Sequence, residues 1–213
     1  MSTGGDDRPP PAAPGAHYRE IVLATGSRGK LLEVRAILGD LALSLRSLDA
    51  FPDVLLPEEG DDYEANALAK ARTAARQTGR IALADDSGLE VEGLAGGPGP
   101  RSARYGGAGL DDAGRNARLL AELASAPADA RRARFVCVAA LATHEGETVV
   151  VRGECAGRIL EAPRGRGGFG YDPIFAAEGR DRSMAELAPA DKNALSHRGR
   201  AFAALRDAIR ARL

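Results

Sequence analysis

The sequence has no tryptophan, and aromatic side chains make up only 4% of its 213 residues. Its two cysteines, Cys137 and Cys155, are too few for a disulfide scaffold and lack the spacing of a metal site, and both lie in apolar stretches. No apolar run approaches the roughly 18 residues that a membrane-spanning helix needs. We therefore expect two buried free thiols and no membrane partner.

Residues 1–17 lack the apolar core of a signal peptide and are rich in Pro, Gly and Ala. We interpret this segment as a disordered N-terminal tail and residues 18–213 as a single domain, a usual size for one folding unit. The absence of a targeting signal predicts a cytoplasmic protein.

An excess of charge of either sign is also missing, since 29 Lys+Arg face 30 Asp+Glu for a formal net charge of -1. This balance argues against a broad basic surface of the kind that holds nucleic acid polymers or anionic membranes. Lysine itself is scarce: only Lys30, Lys70 and Lys192 occur among the 29 basic residues. The hydrophobic content of 44% is ordinary for a soluble globular protein.

Hydrophobic periodicity and turn residues predict strands alternating with helices. The predicted strands are residues 21–25, 81–84, 135–143 and 147–156, and the predicted helices are residues 30–38, 63–78, 110–125 and 197–213. The last two strands are joined by a short turn and predict an antiparallel hairpin. The fold class is therefore α/β with a mixed sheet.

The segment ATGSRGK, residues 24–30, forms the turn between the first strand and the first helix. It is not a Walker-type phosphate loop, because Ala24 and Leu31 stand where that motif needs Gly and Ser or Thr. A helix N-terminus with hydroxyls and the cation Lys30 is nevertheless suited to a polyphosphate. The alternative is a plain strand-to-helix turn with a solvated lysine.

Acidic residues cluster in two places. Asp85 and Asp86 directly follow a predicted buried strand, where adjacent carboxylates suit Mg²⁺; the alternative is a turn capped by its own side chains. Glu58 and Glu59 precede the second helix, a position usual for helix caps. Glu58 together with Asp86 would complete a metal site, and Lys70 lies on that helix.

Two further segments carry candidate ligand contacts. In PRGRGGFGYDPIF, residues 163–175, the glycines formally match a dinucleotide fingerprint, but no helix opens there. We interpret Phe169 and Tyr171 as flanking a flat ligand, or else as aromatic residues packed into the core. In ADKNALSHRGRAF, residues 190–202, Lys192 and His197 lie near the start of the last helix. No nucleophile elbow supports a hydrolase triad there.

Taken together and in this order, ATGSRGK, EEGDDYEANALAKA, ADDSGLEVEGL with PGPRSARYGG, GGFGYDPIF and SHRGRAF resemble the inosine triphosphate pyrophosphatase family, from Ile21 to about Leu205. The resemblance implies a two-lobed fold with a central nucleotide cleft, usually a homodimer. It also implies Mg²⁺-dependent hydrolysis of the purine nucleoside triphosphates ITP, dITP and XTP to the monophosphate and pyrophosphate, which clears the nucleotide pool of these non-standard compounds.

The family pattern also assigns roles by position in this sequence. It implies phosphate contacts at Thr25, Gly26, Ser27, Arg28, Gly29, Lys30 and Lys70, metal ligands at Glu58 and Asp86, and other nucleotide contacts at Ser87, Phe169, Gly170, Tyr171, Asp172, Lys192, His197 and Arg198. Asp86 is the implied proton acceptor, and Lys70 the second catalytic residue.

The sequence departs from the family pattern at two positions. Ser27 replaces an Asn, which keeps a hydroxyl but removes an amide, and Ala65 replaces a Glu, which removes a carboxylate close to the metal. We expect a weaker contact at Ser27 and leave the number of metal ions open. A Mg²⁺-dependent phosphatase that releases orthophosphate and a non-catalytic nucleotide sensor remain the alternative functions.

Overall fold

The computed structural model describes residues 19–107 and 109–213, so the predicted tail at residues 1–17 lies outside the described residues. The strands are β1 (Arg19–Leu23), β2 (Leu43–Ser47), β3 (Ile81–Val91), β4 (Pro98–Gly99), β5 (Arg132–Ala142), β6 (Thr148–Ile159) and β7 (Phe175–Ala177). The α-helices are α1 (Arg28–Ile37), α2 (Tyr63–Thr78), α3 (Asp112–Glu122), α4 (Pro189–Leu195) and α5 (His197–Arg210).

All the strands join one sheet in the order β2-β1-β3-β5-β6-β7, with β4 paired to β3. β1 pairs in parallel with β2 and β3, whereas β3, β5, β6 and β7 pair antiparallel along the rest of the sheet. The predicted α/β fold with a mixed sheet and a β5–β6 hairpin is confirmed. The prediction missed β2, β4, β7 and α4, which are short or carry little hydrophobic periodicity.

Helices cover strands β1, β3 and β5 on both faces of the sheet. Helix α2 packs its alanine face on one side, with Ala71 and Ala75 in the same apolar cluster as Ala84 of β3. Helices α1 and α5 cover the other side, where Val34 and Phe202 are fully buried. Alternate residues of β3 therefore face opposite layers.

The remainder of the sheet belongs to a third apolar cluster. There the ends of β3, β5, β6 and β7 pack with α3, and the cluster contains Leu119, Phe135 and Phe175. Both cysteines are buried and free, as predicted. No helix in residues 19–107 or 109–213 is both long and apolar enough to span a bilayer.

The predicted end of the strand at residue 84 is wrong, because β3 continues through the acidic pair to Val91. Asp85 and Asp86 pair across the ladder with Ala139 and Val138 of β5, so they lie within the strand and not in a turn. Successive side chains of a strand point to opposite faces. The two carboxylates therefore reach different partners, and the alternative of a self-capped turn is also wrong.

Candidate active site

A cavity of about 460 Å³ is lined by residues of the α1 N-terminus, of β3 and β5, and of α3 and α5. The predicted site residues that line it are Thr25, Gly26, Ser27, Gly29, Lys30, Lys70, Asp86, Ser87, Phe169, Gly170, Tyr171, Asp172, Lys192, His197 and Arg198. The predicted residues Arg28 and Glu58 are not among its lining residues. The structure thus brings together residues from segments that are far apart along the chain.

One end of the cavity is formed by the N-terminus of α1. Ser27 is the N-cap residue, and its hydroxyl accepts a hydrogen bond of 3.4 Å from the Lys30 N–H. The Thr25 hydroxyl accepts the Ser27 N–H at 3.1 Å. The Ser27 hydroxyl is therefore engaged in capping, while the helix N-terminus and the Lys30 ammonium favour an anion at this end.

Asp85 anchors two cations beneath the cavity. Its Oδ2 lies 3.0 Å from Lys30 Nζ and accepts hydrogen bonds of 3.2 Å from two guanidinium nitrogens of Arg198. Burial opposes ionisation of Asp85, but the charges of Lys30 and Arg198 outweigh it and hold the pKa of the carboxyl well below its usual range. Arg198 also binds Glu33 at 2.6 Å. These contacts hold the lysine and arginine head groups in fixed positions.

Asp86 lies on the α2 side of the strand. Its Oδ2 accepts a 2.7 Å hydrogen bond from Asn66 Nδ2, and its Oδ1 lies 3.7 Å from Lys70 Nζ. Lys70 also pairs with Glu59 at 2.5 Å. Burial raises the pKa of Asp86, against the opposing effects of the Lys70 charge and the Asn66 hydrogen bond. Asp86 is thus a carboxylate in the cavity wall whose proton affinity is above normal.

Lys70 pairs with Glu59 as well as with Asp86, and Glu59 lines the cavity, whereas Glu58 is exposed. No group of three or more His, Cys, Asp or Glu side chains suited to a metal occurs within the described ranges. Two carboxylates, Asp86 and Glu59, nevertheless offer the oxygen atoms that Mg²⁺ prefers, and this ion commonly takes its other ligands from substrate phosphates and water. The donor set fits a magnesium ion bound together with a triphosphate.

The Phe169 ring also lines the cavity, next to the first turn of α1. Lys192 Nζ lies 4.9 Å from its centroid and the Arg198 guanidinium 5.5 Å, within the range of cation–π contacts. The ring also packs over Gly29, where an added Cβ would lie 2.6 Å from a ring atom. Lys192 is buried between Asp172 and Glu33. The cavity wall therefore contains an aromatic ring with two cations beside it.

His197 forms part of the same wall. Its ring stacks on Phe135 with centroids 4.7 Å apart and an interplanar angle of 11°. Burial, assisted by the charge of Arg198, lowers the pKa of His197 well below its ordinary value, so the imidazole is neutral at neutral pH. Among the described residues, its Nδ1 is buried without a hydrogen-bond partner. A neutral imidazole offers one donor and one acceptor to a ligand.

The site also contains residues that sequence reasoning missed. Asp112 and Arg115 of α3 line the cavity, Asn116 of the same helix bonds to Gly170, and Glu33 of α1 pairs with both Lys192 and Arg198. Asp112, Asn116 and Glu33 have partners far away along the chain, so no local pattern marks them.

Comparisons with known proteins agree with this architecture. The dITP/XTP pyrophosphatase of Geobacter sulfurreducens is 50% identical over 188 residues, which cover 88% of this chain and 94% of that protein. The dITP/XTP pyrophosphatase of Mycobacterium tuberculosis strain H37Rv is 50% identical over 195 residues, covering 90% and 95%.

Solved structures give the same result. A Ham1 protein from Coxiella burnetii superimposes with a TM-score of 0.81 at 42% identity, covering 91% of this chain and 99% of that one. A nucleoside-triphosphatase described as a dITP/XTP pyrophosphatase, from Mycobacterium abscessus, gives 0.71 at 47% identity, covering 87% and 98%. The Ham1 family model matches residues 21–208, and the family resemblance seen in the sequence motifs is thereby confirmed. The chain belongs to the Ham1 family.

Proposed function

We propose that the protein hydrolyses the non-standard purine nucleoside triphosphates ITP, dITP and XTP to the monophosphate and pyrophosphate. Relatives that are 50% identical over most of the chain carry the name dITP/XTP pyrophosphatase, which supports a hydrolase of this substrate class. The observation that carries the proposal is a single cavity lined by the cations Lys30, Lys70 and Lys192 together with the Phe169 ring. This arrangement suits a triphosphate joined to a flat base.

The reacting carboxylate in this proposal is Asp86. Asn66 and Lys70 fix its orientation, and burial raises its affinity for a proton. Asp86 accepts a proton from the water that attacks the α phosphorus, while Lys30 and Lys70 stabilise the negative charge of the departing pyrophosphate. Mg²⁺, held by Asp86 and an acidic residue of the 58–59 pair, would neutralise charge on the triphosphate oxygens.

Base selection in the proposal depends on the oxygen at the purine 6-position, where adenine has an amino group. Residues 168–171, which carry Phe169 and Tyr171, are called the aromatic loop. Two of its N–H groups already donate within the protein, Phe169 to Asp172 and Gly170 to Asp112. The side chains of Lys192, His197 and Arg198 are the candidate donors on this wall. Lys192 and Arg198 also bind carboxylates, whereas His197 Nδ1 has no hydrogen-bond partner among the described residues. A mismatched hydrogen bond in a buried site costs about 1–3 kcal/mol, roughly 10- to 100-fold in rate.

The test is a product assay with ITP, dITP, XTP, ATP and GTP, each with and without Mg²⁺. We expect stoichiometric pyrophosphate from the first three substrates and none after EDTA treatment. Orthophosphate as the primary product would favour a phosphatase, and binding without turnover would favour a sensor; either result contradicts the proposal. Wild-type turnover in an Asp86→Asn variant would show that Asp86 is not the proton acceptor.

We also propose that the protein is a homodimer and that it acts in the cytoplasm. Size-exclusion chromatography with light scattering should give twice the mass of the chain, and a monomer at working concentrations would contradict the dimer. Fractionation of the producing cells tests the location.

A further inference from the structure

Helix α3 holds both polar groups of one residue in the aromatic loop. Asp112 Oδ2 accepts the Gly170 N–H at 2.6 Å, and Asn116 Nδ2 donates to the Gly170 carbonyl oxygen at 3.1 Å. Asp112 and Asn116 are four residues apart, so they lie on the same face of the helix. Gly170 has a φ of 61°, in the left-handed region that favours glycine.

Each of the two helix residues is itself held in place. Asp112 Oδ1 pairs with Arg115 at 2.6 Å, which leaves its Oδ2 directed to the loop. Asn116 is only 4% exposed, and its amide has little freedom to turn towards water. The tyrosine that follows Gly170 is fixed separately, because the Tyr171 hydroxyl donates to a backbone carbonyl at 2.9 Å. Asp112 thus holds the peptide group between Phe169 and Gly170, and Asn116 holds the next one along the chain.

We propose that Asp112 and Asn116 are positioning residues for base selection: by fixing the peptide groups of Gly170 they set the orientation of the Phe169 ring against which the base stacks. This inference rests on the proposed function. Fixing the ring fixes the distance between the base edge and the donors on Lys192 and His197. Without the contacts from Asp112 and Asn116, the ring samples other orientations. The difference in binding free energy between a correct and an incorrect base then becomes smaller.

The experiment compares kcat/KM for dITP and dATP in the wild type, Asp112→Ala and Asn116→Ala. We expect the dITP preference to fall about 10-fold in each variant, with most of the change in KM for dITP and little in kcat. Asp112→Asn keeps an acceptor for the Gly170 N–H and should restore the preference to within about threefold of the wild type. Arg118→Ala is the control, because Arg118 is exposed on α3 and pairs with Glu122, away from the loop.

Unchanged preference in both alanine variants overturns the inference. If Asn116→Ala does not fold, Asp112→Ala decides the question alone, because the Asp112 side chain is 47% exposed and tolerates truncation. Hydrogen exchange at the amide of Gly170 provides a second measurement that needs no turnover. Faster exchange with unchanged thermal unfolding shows that α3 fixes the loop even if the wild type releases no pyrophosphate, a result that would overturn only the proposed function. Unchanged exchange contradicts the positioning role.

Discussion

Replacing Asp85 by Asn should destabilise the protein strongly, because this carboxylate neutralises two cations at once. The Asp85 side chain is fully buried, Lys30 is 18% exposed and Arg198 is 3% exposed. Removing one partner of a buried ion pair costs about 3–5 kcal/mol when the other charge loses its counterion. In Asp85→Asn, Lys30 loses its pair with Asp85, whereas Arg198 keeps its pair with Glu33. Total stabilities are typically about 5–15 kcal/mol, so the variant should fold but with a much reduced margin.

The assay is thermal unfolding followed by circular dichroism without ligand. For a chain of this length the expected loss corresponds to a fall in Tm of about 10 °C. The matched control is Asp61→Asn, which makes the same chemical change in an exposed pair with Arg101 and should shift Tm by less than about 2 °C. An Asp85→Asn variant as stable as the control would refute the anchoring role of Asp85.

The pH dependence of the Tm difference between the wild type and Asp85→Asn is a further check. Because the pKa of Asp85 is lowered in the folded state, its stabilising contribution is fully present above the unfolded value of about 3.9 and is lost as the pH falls through the folded value. The Tm difference between wild type and Asp85→Asn should therefore be constant from about pH 8 to pH 5 and narrow only below about pH 4. A difference that disappears near neutral pH would contradict the assigned pKa direction.

Three other substitutions test separate parts of the site. The double variant Lys30→Arg/Lys70→Arg should lower turnover by more than about 10-fold, because a planar guanidinium cannot replace a compact ammonium, while Tm falls by only a few degrees. Near-normal kinetics would show that the site does not require lysine at these positions. Gly29→Ala should raise KM for dITP, because the new Cβ would lie 2.6 Å from the Phe169 ring, and an unchanged KM would argue against a role for that ring. Gly153→Ala should lower Tm by about 5 °C or more, since its Cβ would lie 2.2 Å from a backbone carbonyl of α5; wild-type unfolding would show that the helix shifts at little cost.

Helix α2 shows what the sequence predicts well. Its predicted bounds, residues 63–78, are those of the structure. Asp62 caps the first turn by accepting the Ala65 N–H at 2.7 Å, and Gly79 ends the helix with a φ of 64°. These signals are local, and an alanine-rich face leaves no competing pattern.

Strand β3 shows where sequence reasoning is insufficient. Two adjacent carboxylates resemble the end of a strand, because burying them without partners is costly. Their partners, Lys30 and Arg198 for Asp85 and Asn66 for Asp86, come from other elements and become visible only in the folded structure. The sequence therefore locates the acidic pair correctly but places it in the wrong kind of element.

The same limit applies to the site as a whole. The family resemblance predicted residues that the fold brings into one cavity, but their assigned roles remain predictions. It did not point to Glu59, the acidic residue paired with Lys70, or to Asp112 and Asn116, which bond to a backbone more than 50 positions away. A hydrogen bond to a main-chain atom leaves no pattern in a single sequence.

Hydrolysis of dITP in ¹⁸O-labelled water tests the proposed chemistry most directly. If water attacks the α phosphorus with Asp86 as the proton acceptor, one labelled oxygen should appear in the monophosphate and none in the pyrophosphate, as determined by mass spectrometry. Label in the pyrophosphate would mean that water attacks the β phosphorus, and label in orthophosphate would mean attack at the γ phosphorus. Either outcome would contradict the arrangement of Asp86, Lys30 and Lys70 around the α–β bond.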